Sequence, residues 1–247
     1  MTGTKTIVSF LLDRTGSMEA VRDDTIGAFN TYAATLEKDA GDLIEFTLVL
    51  FDSTSVDKLC VGVAMKDVPR LNRDNYIPRD MTPLIDAACK IIKATEDQLA
   101  KRTDSPKVVV CIQTDGHENA STEHNPSELR ELIRAKRALG WEFNFMGCGI
   151  DAYATAQTYG IAHGSTMSYA MANSAQAFAA SARNTASYAG GQSVNTRFSA
   201  TQKAAAGDIF DPGDDADATK VQPAQPAPPP TAKKKPSQAV EDFTLDH

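Results

Sequence analysis

The sequence has no long apolar run, and this absence argues against a membrane-spanning helix. No stretch approaches the roughly 18 consecutive apolar residues that such a helix needs. The chain begins with Met-Thr-Gly-Thr-Lys-Thr and passes directly into the apolar stretch "IVSFLL", without the regions that make up a secretory signal peptide. We therefore expect a cytoplasmic protein with no membrane partner.

Basic residues are also too few to suggest a nucleic-acid partner. The 247 residues carry a net charge of −7 and have a pI near 5.1, whereas nucleic-acid-binding domains are usually basic. The hydrophobic fraction of 42% is enough for a packed core, so at least part of the chain is expected to be globular.

Cysteine is scarce, and its four copies are widely separated. No Cys-x-x-Cys pair occurs, which argues against a zinc site of the usual ligand spacing. Three of the four lie in or beside apolar strand-like runs, so we expect buried, reduced thiols. The four residues are Cys60, Cys89, Cys111 and Cys148.

The glycine-centred motifs of several enzyme classes are missing. The sequence contains no Gly-x-Ser-x-Gly elbow, no Walker-type phosphate loop and no Gly-x-Gly-x-x-Gly fingerprint. These absences argue against a serine hydrolase and against the common nucleotide-binding folds.

Two hydrophobic periodicities alternate along about the first 190 residues. Strand-like runs occur at 6–12, 43–51, 107–114 and 141–149, and helical patterns at 21–36, 84–99, 125–139 and 174–189. The alternation predicts an α/β fold with a doubly wound, mostly parallel sheet. The segment 52–65 is predicted to add one antiparallel edge strand.

The composition changes after residue 196, so we predict a domain at 1–196 and a disordered tail at 197–247. The tail is rich in Pro, Ala, Asp and Lys, and seven of the 12 prolines fall between Pro212 and Pro236. Its last stretch, "AVEDFTLDH", contains Phe243 and Leu245 among acidic residues. Two interpretations are open: a short docking peptide for a partner or for the metal of another copy, or an end without a specific role.

Three loops next to predicted strands or helices contain side chains with oxygen atoms. These loops read "DRTGSM" after the first strand, "RDMTPLIDA" before the second helix and "QTDGHEN" after the third long strand. In an open α/β sheet, ligands bind outside the carboxyl ends of the strands. The candidate residues are Asp13, Thr15, Ser17, Thr82 and Asp115. Two carboxylates and three hydroxyls form an oxygen-only set that suits Mg²⁺ or Mn²⁺.

Each of these residues also has a local interpretation. Thr82 or Ser17 could cap a helix, and Asp115 with Gly116 is a common turn pair. Asp13 could cap a helix or pair with a lysine. The coincidence of the three loops favours the metal site, and we predict that His117 and His124 lie outside the first shell of ligands.

These motifs resemble the von Willebrand factor A (vWA) domain and its metal-ion-dependent adhesion site (MIDAS). The resemblance covers about residues 4–190 and rests on Asp13-x-Thr15-x-Ser17, on Thr82-Pro83-Leu84 and on Asp115-Gly116. Thr15 stands where many relatives have serine, so the hydroxyl is kept. "TPLIDA" and "TDGHEN" are more similar to the bacterial and phage branch than to adhesion receptors.

The resemblance implies a Rossmann-like vWA fold and a protein-binding role. In this family the hydroxyls contact the metal, the aspartates bind it directly or through water, and an Asp or Glu of a protein partner often completes the shell. Bacterial relatives work beside AAA+ ATPases or in phage and defence complexes. We therefore expect a metal-dependent adaptor or regulatory module with no enzymatic activity.

A metal-dependent hydrolase or phosphatase that uses Asp13 is the alternative. Aspartyl-phosphate phosphatases need a second aspartate two residues after the nucleophile, and this chain has Thr15 there. Only His117 is available as a base, so the binding module is the preferred interpretation.

Overall fold

A computed structural model of the chain describes residues 4–211, and its centre is a six-stranded sheet. The strand order is β3-β2-β1-β4-β5-β6, and all neighbours are parallel except β3, which runs antiparallel to β2. The strands are β1 (Thr6–Asp13), β2 (Ile44–Phe51), β3 (Val56–Ala64), β4 (Lys107–Thr114), β5 (Glu142–Cys148) and β6 (Thr166–Tyr169).

Helices cover both faces of this sheet and enclose two apolar cores. On one face α1 and α5 pack together over the strands, and on the other α2, α3 and α4 do so. The helices are α1 (Arg22–Ala40), α2 (Leu84–Leu99), α3 (Pro126–Ala138), α4 (Ala152–Thr158), α5 (Ser174–Ala189) and α6 (Ala200–Ala205).

Burial on both faces explains the continuous apolar composition of the central strands. All eight residues of β1 are buried, and Phe10 in its middle makes aromatic contacts with Phe29, Tyr32 and Phe178 of the covering helices. Such clusters contribute both buried area and edge-to-face contacts. The carboxyl end of β1 is therefore held rigidly where the first candidate loop begins.

The predicted fold class is confirmed: the sheet is doubly wound, mostly parallel, and has one antiparallel edge strand. The predicted segment 52–65 contains β3, and the predicted helix at 125–139 corresponds to α3. This helix opens with a capping box, in which the Asn125 side chain accepts hydrogen bonds from the backbone amides of Ser127 and Glu128. Three elements, α4, β6 and α6, were not predicted. With seven, four and six residues, all three are too short to show a period in sequence.

The described structure extends past the domain boundary that we predicted at residue 196. Phe198 is buried, and the short helix α6 opens with a capping box between Ser199 and Gln202. Asp208 then accepts hydrogen bonds from the Tyr153 hydroxyl at 2.5 Å and from the Ser168 amide at 3.0 Å. The start that we predicted for the disordered tail, residue 197, therefore lies too early in the chain. Residues 212–247, with the segment "AVEDFTLDH", lie outside the described residues.

The cysteines are free thiols, as expected. Cys89, Cys111 and Cys148 are buried, and Cys60 is partly buried. Within residues 4–211, no helix combines the length and apolar character needed to cross a membrane.

The chain reverses its winding direction beside β1. It runs from β1 to β2 on one side and reaches β4 on the other, so the loops after β1 and β4 diverge and leave a crevice at their carboxyl ends. Asp13 ends β1, and Asp115 directly follows β4. The topology therefore brings two of the three candidate loops together.

Candidate metal centre

The buried carboxylate of Asp13 lies at the base of the crevice. Its Oδ1 accepts a hydrogen bond from the Thr15 amide at 2.7 Å, and its Oδ2 accepts one from the Thr114 hydroxyl at 2.6 Å. The side chain is fully buried, yet it takes part in none of the ion pairs within residues 4–211. Burial raises the pKa of Asp13 from 3.8 to about 6, because a charged carboxylate loses its hydration there.

The loop hydroxyls and Asp115 lie side by side above this carboxylate. Thr15 Oγ1 is 3.3 Å from Ser17 Oγ, and Ser17 Oγ donates to Asp115 Oδ1 at 2.6 Å. Partial burial raises the pKa of the Asp115 carboxyl as well. Thr15 is almost fully buried, whereas Ser17 is exposed, so the group opens towards solvent at Ser17.

Thr82 reaches the same place from the loop before α2. A Cβ atom added to Gly116 would lie 3.3 Å from Thr82 Oγ1 and 3.5 Å from Ser17 Oγ, so both hydroxyls flank the backbone of Gly116. Asn119 fixes Thr82 in position through two hydrogen bonds. The Asn119 Oδ1 accepts from the Thr82 backbone amide at 2.8 Å, and the Asn119 backbone amide donates to the Thr82 carbonyl at 3.1 Å. All five predicted residues therefore meet at one crevice.

The helix-capping interpretations of the hydroxyls are wrong. The N-cap of α2 is Pro83, without a side-chain capping bond, so Thr82 does not cap that helix. Ser17 lies inside a 3₁₀ helix, Gly16–Val21, whose N-cap Thr15 also makes no side-chain capping bond. The hydroxyls of Thr15, Ser17 and Thr82 are therefore not used to satisfy helix ends.

The positions of His117 and His124 do not suggest that either is a metal ligand. His117 is exposed, and His124 Nδ1 lies 3.4 Å from the Asp86 carboxylate at the start of α2. Within residues 4–211, no group of three or more His, Cys, Asp or Glu side chains could hold a metal ion. A soft-ligand zinc site is therefore not supported, and any cation at the crevice must use the hydroxyls.

Three supporting residues were not predicted from the sequence. The Thr114 hydroxyl holds Asp13, the Tyr76 hydroxyl donates to the Asp13 carbonyl at 2.6 Å, and Asn119 holds Thr82. Thr114 could have been suspected, because it is the residue before Asp115. Tyr76 and Asn119 lie in loops whose approach depends on the tertiary structure.

A second buried aspartate, Asp52, lies beside the crevice, and its pKa is shifted in the opposite direction. Asp52 Oδ2 accepts from Arg14 Nη2 at 2.5 Å and from Arg79 Nε at 3.0 Å. Burial alone would raise the pKa of Asp52, but the Ser55 amide and the two guanidiniums outweigh it and lower that pKa. Asp52 is thus charged and satisfied, whereas Asp13 has no cationic partner in the described structure.

The donor set at the crevice fits a hard divalent cation. Two carboxylates and three hydroxyls supply oxygen ligands only, which Mg²⁺ and Mn²⁺ accept. The uncompensated burial of Asp13 is the electrostatic feature that a bound cation would relieve. The chemistry of the five predicted residues therefore fits such an ion.

Comparison with known proteins shows a likeness of fold without a likeness of sequence. No family model and no curated protein matches the chain. Among solved structures, the vWF domain of the type V pili tip protein Mfa5 from Porphyromonas gingivalis matches 75% of this chain and 96% of its own, with TM-score 0.53 and 11% identity. This chain has the von Willebrand factor A fold.

Two further vWA-like matches contain a metal. Proximal thread matrix protein 1 from the mussel byssus, with a zinc-occupied MIDAS motif, has TM-score 0.55 and 13% identity, over 71% of this chain and 46% of that one. Manganese-loaded TRAP protein of Plasmodium vivax has TM-score 0.51 and 14% identity, over 71% and 72%. The chain spans less than half of the byssus protein. The bacterial or phage origin stays a prediction.

Chelator-treated protein should bind one Mg²⁺ or Mn²⁺, and Asp13→Ala should abolish this binding. The reason is that Asp13 supplies one of the two carboxylates among the five proposed ligands. Titration calorimetry with each ion measures the stoichiometry. The matched control is Asp39→Ala, which removes an exposed carboxylate of α1 and should leave binding unchanged. Equal binding by both variants would show that the metal is elsewhere.

Without metal, Asp13→Asn should stabilise the protein at pH 7.5 but not at pH 4. The folded pKa of Asp13, about 6, lies above its unfolded value of 3.8, so the folded state keeps a proton that the unfolded state loses. Stability of the wild type therefore falls as the pH rises from about 4 to about 6, by up to about 3 kcal/mol. The amide has no charge to bury, and its Nδ2 can donate to the Thr114 hydroxyl.

Urea unfolding in a chelator at both pH values tests this difference. In the presence of Mg²⁺ or Mn²⁺ at about 100 times its dissociation constant, the wild type should gain about 2.7 kcal/mol and the variant nothing. A variant that is less stable than the wild type in chelator at pH 7.5 would contradict the unpaired state of Asp13.

Proposed function

We propose that this protein is a metal-dependent protein-binding module that captures an acidic side chain of a partner. The observation that carries the proposal is the meeting of Asp13, Asp115 and three hydroxyls at the sheet crevice, with the Asp13 carboxylate buried and in no ion pair within residues 4–211. A divalent cation at this place would offset the buried charge. The residues that would hold it are Asp13, Thr15, Ser17, Thr82 and Asp115.

The small number of charges in the crevice favours an additional carboxylate ligand. Two aspartates neutralise a divalent cation only formally, and three neutral hydroxyls leave it electron-poor. Such an ion accepts an Asp or Glu from outside. The manganese in the TRAP structure and the zinc in the byssus protein support a divalent cation. The oxygen-only ligand set leads us to propose Mg²⁺, with Mn²⁺ as its substitute.

The rim of the crevice is suited to contact with a protein. Met81, next to Thr82, is 56% exposed, and Ile77 is 51% exposed in the same loop. This loop is fixed to the site, because the Arg79 amide donates to the Arg14 carbonyl at 3.0 Å and Gly16 N donates to the Asp80 carbonyl at 2.9 Å. Exposed apolar side chains around a charged centre are typical of an interface.

The kind of partner follows from the family resemblance and is part of the proposal. We propose an adaptor or regulatory role in the cytoplasm, beside an AAA+ ATPase or within a phage or defence complex. The net charge of −7 disfavours nucleic acid as the ligand.

Partner capture should require both the metal and Asp13. Tagged protein is incubated with lysate of its native host in Mg²⁺ or in a chelator, and the bound proteins are identified by mass spectrometry. We expect a set of proteins that is retained in Mg²⁺ by the wild type and by Asp39→Ala, and lost in chelator or with Asp13→Ala. Excess acetate should compete, because it offers the same carboxylate. Identical recovery by Asp13→Ala would separate partner binding from the metal.

The hydrolase alternative receives little support from the geometry. Asp13 is fully buried and its two oxygens already accept hydrogen bonds from Thr15 and Thr114, so it is poorly placed to attack a substrate. His117 is exposed in the loop after β4, and Thr15 occupies the position of the second aspartate. A positioned nucleophile and base are both needed for such chemistry.

We expect no turnover of phosphate monoesters, carboxylic esters or peptides in the presence of Mg²⁺ or Mn²⁺. Chromogenic substrates of each class, assayed with the wild type and with Asp13→Asn, measure this directly. Metal-dependent hydrolysis that disappears in Asp13→Asn would contradict the binding-module proposal and restore the enzyme hypothesis.

A further inference from the structure

A groove of about 600 Å³ lies along α2, beside the edge strand β3 and outside the crevice. Its apolar part is formed by aliphatic side chains of the sheet and the helix, which are Val49, Val56, Val61, Ile91 and Ala94. Val61, on the edge strand β3, is 53% exposed. The groove therefore leaves apolar surface without a cover in the described structure.

The groove lies between α2 and the edge of the sheet formed by β2 and β3. Strand β3 is the antiparallel edge, and its pairing with β2 is irregular between Leu48 and Val49. Gly62 has a φ of +59°, and a Cβ atom there would lie 2.7 Å from Gln98 Nε2, so the end of α2 approaches the β3 backbone closely. Along the helix, the groove is lined from Lys90 to Gln98 and then by Lys101.

Lysines surround the groove and give it a positive charge. Four of them line it, and the one acidic lining residue is Asp97. Lys90 pairs with Glu123 at 2.7 Å, whereas Lys58, Lys93 and Lys101 are exposed and form no ion pair within residues 4–211. Three such lysines around an apolar floor form a basic patch on a chain with a net charge of −7.

We propose that this groove binds the acidic, apolar segment 237–247 of the same chain. The segment combines Phe243 and Leu245 with Glu241, Asp242 and Asp246, and it contains no Lys or Arg. Its apolar side chains match the floor of the groove, and its three side-chain carboxylates match the three lysines that form no ion pair within residues 4–211. In an extended segment Phe243 and Leu245 point to the same side, because side chains alternate along a strand.

The connecting residues are long enough to bring the segment to the groove. Asp211 contacts His163 near β6, at the opposite edge of the sheet from β3. Six strands at a spacing of about 4.8 Å separate the outer strands by roughly 24 Å. Residues 212–236 supply about 25 residues, which span up to roughly 75 Å at about 3.1 Å per residue when proline-rich and extended. A tethered segment also has an effective concentration in the millimolar range, so a weak contact is sufficient.

The test is carried out on the full chain, with an indole placed in the segment. Trp141, the single tryptophan, is changed to phenylalanine, and Phe243→Trp is introduced. We expect emission at short wavelength and weak quenching by acrylamide. Lys93→Glu with Lys101→Glu should shift the emission to longer wavelength and increase quenching severalfold. Salt at about 1 M, where the Debye length is about 3 Å, should act in the same direction.

The matched control is Lys38→Glu with Lys66→Glu, which changes the net charge equally at exposed positions outside the groove and should leave the spectrum unchanged. If the Trp141→Phe background does not fold, Trp141 is kept and the spectrum of the chain with Phe243 is subtracted. An indole that is exposed to solvent in the parent chain would overturn the proposal.

Two other results would overturn the proposal. One would show that the segment binds elsewhere on the protein, and the other that the bound segment comes from a second copy of the chain. Release of the indole by a chelator or by Asp13→Ala, but not by the groove substitutions, would place the segment at the metal crevice. A spectrum that changes on dilution would show that a second copy supplies the segment. The charge-dependent result expected here does not require metal, so it is independent of the proposed function.

Discussion

The uncompensated burial of the Asp13 carboxylate is the constraint around which the crevice is organised. A buried carboxylate without a cationic partner is costly, and hydrogen bonds from Thr114 and Thr15 only partly offset the lost hydration. The raised pKa of Asp13, about 6, expresses the remaining cost. Asp52 shows the contrast within the same chain, because the Ser55 amide, Arg79 and Arg14 lower its pKa despite burial. The fold supplies cations to one aspartate and leaves the other available for an ion.

Rigid surroundings keep that arrangement in place. Asp13 ends a strand that is buried along its whole length, and the Tyr76 hydroxyl fixes the Asp13 carbonyl from the loop before α2. Asn119 fixes Thr82 through two hydrogen bonds, so a loop after β4 positions a proposed ligand from another loop. The oxygen atoms proposed to bind the cation are therefore held close together before it binds, and exposed Ser17 lies at the rim, where its hydroxyl donates to Asp115.

Helix α2 connects the two surfaces for which a role is proposed. The loop before it carries Thr82 to the crevice, and its exposed side carries Lys93 along the groove beside β3. The crevice concentrates negative charge, whereas the groove concentrates positive charge. An acidic segment is therefore attracted to the groove by its lysines, and to the crevice only when a cation is bound. This difference is why metal removal and lysine reversal separate the two surfaces in experiment.

The sequence by itself determined the elements with a clear hydrophobic period, the chemistry of the site and the end of the sheet on which it lies. Continuous apolar strands, the capping box at Asn125 and the oxygen-bearing residues after β1 and β4 are local patterns that the chain carries wherever it folds. Tertiary structure alone decided that Thr82 and Ser17 do not cap helices, that Tyr76 and Asn119 hold the site, and that order continues beyond residue 196. The short elements α4, β6 and α6 were not predicted because they gain stability from packing between distant residues, which no local period records.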